Sequence, residues 1–288
     1  MALLQASVFV RPVQESDRVP LSNLFSFEPF VHRHLDWKRP LDWLGETPFL
    51  VAERKGRPVA ALICPPDPPG VAWIRGFAAS NQVRVEQVWD LLWQEAHQML
   101  TAHDDVQIAV LVAESWMKKL LEASGFSQTN KVVLLSWDCN APLAPPRYPA
   151  RPRVMLPGDL PQVFELDWLC FDPLWRNSET VLQLAYHQAA FATVFEEDGE
   201  ILGYQISTPS GFGGHLARLG VSPKAQGRGL GYALVHDLIM RFSHQGAAHL
   251  TVNTQAENTA SLALYKKANF QLTGHDYPVY EWVVNNPS

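Results

Sequence analysis

The chain has 288 residues, 47% of them hydrophobic, and a formal net charge of −6. That length suits two ordinary domains, each with its own core. The acidic balance argues against nucleic acid or an anionic membrane as the main partner, and no stretch approaches the roughly 20 apolar residues that span a bilayer.

Along the chain, Met1 to Val10 lacks a basic leader region and reads as a first strand rather than a signal peptide. Phe49 to Val59 reads as two strands joined by a turn at Lys55-Gly56, and Cys64 to Gly70 as a hairpin loop. Val88, Leu92, Ala96 and Met99 recur at helical spacing. Five prolines at 142, 145, 146, 149 and 152 predict a stiff extended linker. The expected domains are therefore 1–138 and 153–288, with 139–152 between them. Helices are expected near 159–170, 178–189, 229–244 and 259–268. Strands are expected near 192–196, 200–207, 214–221, 248–254 and 279–284, with a two-strand turn at Glu197-Asp198-Gly199. Leu230, Leu234, Leu238 and Phe242 form one buried helix stripe. Cys64, Cys139 and Cys170 are scattered, without metal-like spacing, and read as reduced thiols of a cytoplasmic protein that needs no metal.

The halves repeat. Arg75 aligns with Arg218 at a shift of 143, Phe126 with Phe270 at 144, and Phe49 with Phe191 at 142. Three blocks at nearly one spacing imply one fold used twice.

The most informative segment is Gln226-Gly227-Arg228-Gly229-Leu230-Gly231, between an apolar run (His215 to Val221) and the helix that starts at Leu230. Such a loop offers backbone N–H groups and the positive end of a helix to one anion. The Walker pattern needs a Lys followed by Ser or Thr after its glycine, and neither follows Gly229 or Gly231. The dinucleotide fingerprint needs its third glycine one place later. The segment resembles the acyl-CoA loop of the GNAT superfamily of N-acetyltransferases, Gln/Arg-x-x-Gly-x-Gly/Ala after a strand ending in V-x-P. Here the matching residues are Val221-Ser222-Pro223, Gln226, Gly229 and Gly231. A second family element follows: Asn258, Ser261, Leu264, Tyr265, then Asn269-Phe270 where the family has Gly-Phe.

The resemblance implies a mixed α/β fold in two tandem GNAT-like copies, each a mixed, mostly antiparallel sheet flanked by helices. The first copy is degenerate: its counterpart of the loop, Val83 to Val88, has no glycine and carries Glu86, and Leu121 stands where Tyr265 does. One site per chain follows. Two copies in one chain are compatible with a monomer that mimics a dimer.

By resemblance, acetyl-CoA is the cosubstrate. Gln226, Gly227, Arg228, Gly229, Leu230 and Gly231 hold its pyrophosphate, Arg228 adding a charged contact, while Leu219 and Val221 pair their main chain with the pantetheine arm. Asn258 caps its helix and touches the same arm. Tyr265 contacts CoA and is the candidate general acid, a phenol of pKa about 10 able to protonate a leaving thiolate. Its plainer role is core packing. His215 stands where one GNAT branch carries its base, and an imidazole near 6.5 suits that role; a surface or capping role is equally open. Another branch places a glutamate where this chain has Asn253, which cannot usefully accept a proton; water-mediated deprotonation is the route if His215 points away. Phe171, Asp172 and Trp175 would wall an acceptor carrying an ammonium group, with Trp168 read as core. His275, Asp276 and Tyr277, expected in a last hairpin, could face the same cleft. The expected activity is acetyl transfer to a primary amine of a small molecule. A protein N-terminal acetyltransferase and a CoA-binding sensor without turnover are the alternatives.

Overall fold

The computed structural model describes residues 8–102, 106–148, 151–211 and 213–282. The reading of Met1 to Val10 lies outside the described residues up to position 7. Residues divide into two compact units, 1–129 with 278–288 and 130–277. In chain order the elements are β1 (Phe9–Pro12), α1 (Arg18–Phe27), β2 (Phe30–Arg33), β3 (Phe49–Arg54), β4 (Arg57–Ile63), β5 (Val71–Trp73), β6 (Gly76–Ala79), α2 (Val85–Thr101), β7 (Gln107–Leu111), α3 (Ser115–Ala123) and β8 (Phe126–Asp138). There follow β9 (Arg153–Val154), α4 (Leu160–Cys170), α5 (Glu179–His187), β10 (Phe191–Glu197), β11 (Glu200–Ser210), β12 (Gly213–Val221), α6 (Leu230–His244), β13 (His249–Gln255), α7 (Thr259–Lys267) and β14 (Gln271–Trp282).

In the first unit β1, β3, β4, β6 and β2 form an antiparallel sheet in that order. Alternate residues of β3 face opposite layers: Leu50 and Ala52 join a core with Trp89 and Leu92 of α2, while Phe49 and Val51 join one with Leu21 and Phe25 of α1. This is the period-2 pattern of a strand covered on both faces. The α2 stripe runs Val88, Leu92, Ala96 and then Leu100; the expected Met99 is exposed, because spacing by four carries the face on to 100. Cys64 to Gly70 turns back through one antiparallel bridge, Pro66 to Ala72, but does not join β4 and β5 as a hairpin. The β5 strand that follows it pairs in parallel with β7, so the segment connects two different sets of pairings.

In the second unit the order is β14 (residues 271–277), β8 (130–138), β13, β12, β11, β10, β9, antiparallel wherever a register is defined except between β12 and β13. Leu230, Leu234, Leu238 and Phe242 are all buried under this sheet, as their spacing requires. The last strand starts at Gln271 rather than near 279, and no hairpin precedes it: His275, Asp276 and Tyr277 lie within β14. Exposed Leu272 and the left-handed Gly274 break the alternation that would have marked it.

The duplication extends to side chains. Arg11 donates to Asp17 (2.6 and 2.8 Å) and Glu53 (2.7 Å); Arg153 donates to Asp159 (2.7 and 2.9 Å) and Glu196 (2.8 Å). In each copy the aspartate also accepts a main-chain N–H three residues before it, from Gln14 and from Leu156. Both copies turn on two positive-φ residues, Lys55-Gly56 between β3 and β4 and Asp198-Gly199 between β10 and β11, the backbone that matches a hairpin's twist. The parallel pairing recurs too: Val71 faces Gln107 and Gly213 faces His249, each 36 residues ahead.

The division differs from the sequence expectation at both boundaries. Residues 130–138 belong with the second unit because β8 pairs with β13, and 278–282 with the first because β14 pairs there with β7. The proline-rich stretch through 148 is irregular yet attached: Ala141 and Leu143 pack on the core beneath α6 and α7, and Tyr148 on that of Phe195 and Leu230.

Candidate functional site

Strands β12 and β13 pair only from Gly213 to Leu216 and from His249 to Val252. Beyond that they part, because β12 carries an extra residue: Ile206 of β11 faces Arg218 while Ser207 faces Leu216, leaving Ala217 as a bulge. The remaining turns of both strands, Arg218 to Val221 and Asn253 to Gln255, therefore keep a main-chain edge without a strand partner between them. Val221 is partly occupied there, its N–H by the Cys170 sulfur and its carbonyl by the Gln226 side-chain amide at 3.2 Å. Burial pushes the Cys170 thiol up to about 11, so it stands as a neutral thiol.

At the end of β12, Pro223–Ala225 forms one tight turn and the chain enters α6 through Gly227 (φ +75°) and Gly229 (φ +96°). Those backbone values are costly for any residue with a Cβ. Gly229 is the N-cap of α6 and offers no side chain to the helix end, whereas α5 and α7 are capped by Ser178 and Asn258. The first N–H groups of a 15-residue helix are thus left for an anion, and open space lies where a Cβ of Gly227 would stand. This fits a diphosphate.

A cleft of about 680 Å³ joins these features. It is lined by Leu219, Val221, Gln226, Gly227, Gly229, Leu230, Gly231 and Asn258 on one side and by Phe171, Asp172 and Trp175 on another, so most of the expected site residues meet in one place. Asn258 accepts the Ser261 N–H at 3.0 Å, the capping role its position suggested. Asn258→Ala is expected to cost about 1 kcal/mol, read as a fall of a few degrees in Tm that Asn258→Asp restores.

Three expected residues stand outside the cleft lining. Arg228 is turned to Glu197, donating at 2.7 and 2.8 Å, and to the Tyr148 hydroxyl at 3.1 Å, so its charge is already matched. His215 sits at the paired end of β12, where its Nδ1 meets Thr251 Oγ1 at 2.8 Å; burial pushes its imidazole below the ordinary value. Tyr265 is 5% exposed and packs beside Phe270, next in sequence to the cleft residue Leu264, and burial pushes its phenol above the ordinary value. His275, Asp276 and Tyr277 do not line the cleft either; Asp276 pairs with Lys131 at 3.5 Å. Trp168 is half-buried, its indole N–H donating to the Asn177 carbonyl at 3.0 Å.

The cleft also holds Asn130, Gln255, Glu257 and Lys267, which sequence reasoning missed. Asn130 comes from β8, outside every segment that carries the motifs, and only strand pairing could reveal it. Lys267 carried a usable signal: it lies three residues after Leu264, on one helical face with it and Ser261. Among the described residues no cluster of three or more His, Cys, Asp or Glu side chains could hold a metal ion, and no helix is long and apolar enough to cross a membrane.

Residues 160–270 match the acetyltransferase (GNAT) family model. Mycothiol acetyltransferase from Mycolicibacterium gilvum (strain PYR-GCK) is 35% identical over 98 residues, 32% of each chain. Peptidyl-lysine N-acetyltransferase YiaC from Escherichia coli (strain K12) is 32% identical over 98 residues, 34% of this chain and 62% of that one. The match therefore spans about a third of the length of the mycothiol acetyltransferase. Among solved structures, a tandem GNAT protein from the clavulanic acid biosynthesis pathway aligns with a TM-score of 0.63 at 15% identity, over 96% of this chain and 97% of that one. The last likeness covers both units and shows the fold.

Proposed function

We propose that the chain, whose residues 160–270 match the acetyltransferase (GNAT) family model, is an N-acetyltransferase that moves an acetyl group from acetyl-CoA to the primary amine of a small molecule. The observation that carries this reading is the parted edge of β12 meeting the uncapped N-terminus of α6 in one cleft. Main chain at Leu219 and Val221 suits an amide-bearing arm, and Gln226 to Gly231 suit the diphosphate behind it. Acetyl-CoA supplies the activated acyl group; the chain's own residues have to orient the amine, remove its proton and protonate the departing sulfur.

Phe171 and Trp175 offer aromatic surface and Asp172 a carboxylate to an ammonium group. With His215 at the paired end of β12, the amine proton leaves to water in the cleft beside Asp172. Tyr265 is the proposed acid from its place in the family pattern, next to the cleft residue Leu264; burial keeps its phenol protonated and also makes it a weaker donor until the bound thiolate reaches it. Tyr265→Phe should lower turnover about 100-fold, a usual loss for a general acid, with acetyl-CoA affinity within about twofold. Equal turnover would remove Tyr265 from the chemistry. Calorimetry with acetyl-CoA, followed by transfer assays on 2-phenylethylamine, spermidine and a lysine-containing peptide, tests the whole reading; absence of acetyl-CoA binding refutes it.

A second reading, transfer to an amine on a protein, is favoured by the 32% identity to a peptidyl-lysine acetyltransferase. Preference for the peptide over both small amines would select it.

A further inference from the structure

Resting on the proposed acetyl transfer, we infer that Arg218 is a positioning residue that sets the amine-binding wall of the cleft from the strand carrying the acyl-CoA edge. Its neighbour Leu219 lines the cleft, while its own side chain leaves for the opposite face of β12 and grips the segment that holds Phe171, Asp172 and Trp175.

The grip is specific. Arg218 Nε and Nη2 donate to the two oxygens of Asp167 at 2.6 and 2.8 Å, and Nη2 also donates to the Trp175 carbonyl at 2.8 Å. The guanidinium lies 3.4 Å from the centroid of the Phe171 ring. Asp167 is fully buried and accepts in addition from the Tyr204 hydroxyl and, at 3.4 Å, from the Asn177 N–H. Arg176 closes the same segment by donating to the carbonyls of Trp168 (3.2 Å) and Phe171 (3.1 Å). A planar fork can satisfy a carboxylate and a carbonyl together; an ammonium cannot reproduce that geometry.

One charge pair thus fixes both ends of the wall, Phe171 by ring stacking and Trp175 by its main chain, and couples them to β12 one residue from the edge. The first unit keeps an arginine at the matching position. Arg75 bonds Asp36 at 3.0 Å, donates to the Asp67 carbonyl at 2.6 Å and lies 4.9 Å from the Trp43 ring. Arginine anchoring an aspartate, a loop carbonyl and an aromatic ring is therefore a device of both copies, on β12 in one and between β5 and β6 in the other, retained where the glycine-rich loop is not.

The test uses the full chain with Arg218→Lys, Arg218→Met and the milder Tyr204→Phe. Acetyl-CoA affinity is measured by calorimetry, KM and kcat with the amine panel, and amide hydrogen exchange across the second unit. The expected result is a rise of about tenfold or more in amine KM for both Arg218 variants, a smaller rise for Tyr204→Phe, acetyl-CoA affinity within about twofold, and faster exchange confined to 171–177. Wild-type amine KM and wild-type exchange at 171–177 would overturn the assignment. So would loss of acetyl-CoA affinity in step with amine KM, which is the signature of general destabilisation. If Arg218→Met does not fold, Arg218→Lys and Tyr204→Phe decide by the same criteria. Should the wild-type protein transfer no acetyl group, the function reading fails by itself, and exchange at 171–177 still decides the positioning role.

Discussion

Gly229→Val is expected to abolish measurable acetyl-CoA binding while the protein stays folded. Gly229 has φ +96° and ψ 5°, a left-handed backbone that a β-branched residue resists. The valine can relieve that strain by moving φ toward negative values, and doing so rotates the first N–H groups of α6 away from a common anion. If it keeps the backbone, its branched side chain crowds the loop beside Tyr148, whose Cβ would lie 3.9 Å from the new Cβ, at the rim of the cleft that Gly229 lines. Either response removes the site. Gly199→Val is the matched control: Gly199 has φ +82° with open space around it and takes no part in the cleft. Both variants should lose a few degrees of Tm, and only the substitution at 229 should lose binding by calorimetry. Equal affinity in Gly229→Val would mean that the anion is not held by this loop.

Gly213→Ala should produce the largest loss of stability in the second unit. A Cβ at this position would stand 1.7 Å from the carbonyl oxygen of His249, and that oxygen belongs to a strand, not to a side chain that could swing away. Gly213 and His249 face each other at the start of the parallel pairing between β12 and β13. The strands have to separate where they are joined by only four residue pairs, and the cleft depends on their parting at the other end. The cost exceeds the usual 1–3 kcal/mol of overpacking. A drop of about 10 °C in Tm is expected by scanning calorimetry, from about 2–4 °C per kcal/mol for domains of this size. A change below about 2 °C would mean that the pairing absorbs the added atom.

Sequence alone carried the helices of the second unit and its strands from β10 to β13 to within a few residues, because the α6 stripe and the turn at Asp198-Gly199 are local patterns with one physical solution; it missed β9 and the start of β14. The duplication was legible from three short blocks, yet its best evidence, the Arg11 and Arg153 clusters, was not: an arginine meeting acids six and about forty residues away has no periodicity to betray it. The backbone of the glycine loop was legible because glycine at positive φ and a missing helix cap are written in residue types. The placement of the Arg228 side chain was not, since its partner Glu197 comes from a hairpin brought near only by folding. His215 was counted along the strand, and the bulge at Ala217 shifts what a count predicts about facing. The role of Arg218 was invisible for a similar reason: its acid, Asp167, lies 51 residues earlier on a helix whose burial is set by the sheet.

The strands β8 and β14 occupy matching places at the ends of the two copies, and each is passed on: residues 130–138 of β8 serve the second unit and 278–282 of β14 the first. Within one polypeptide this is the exchange that domain-swapped dimers make between two. A cut in the proline-rich stretch would leave β13 dependent on a strand from the other fragment, and the fragments should stay together until denatured.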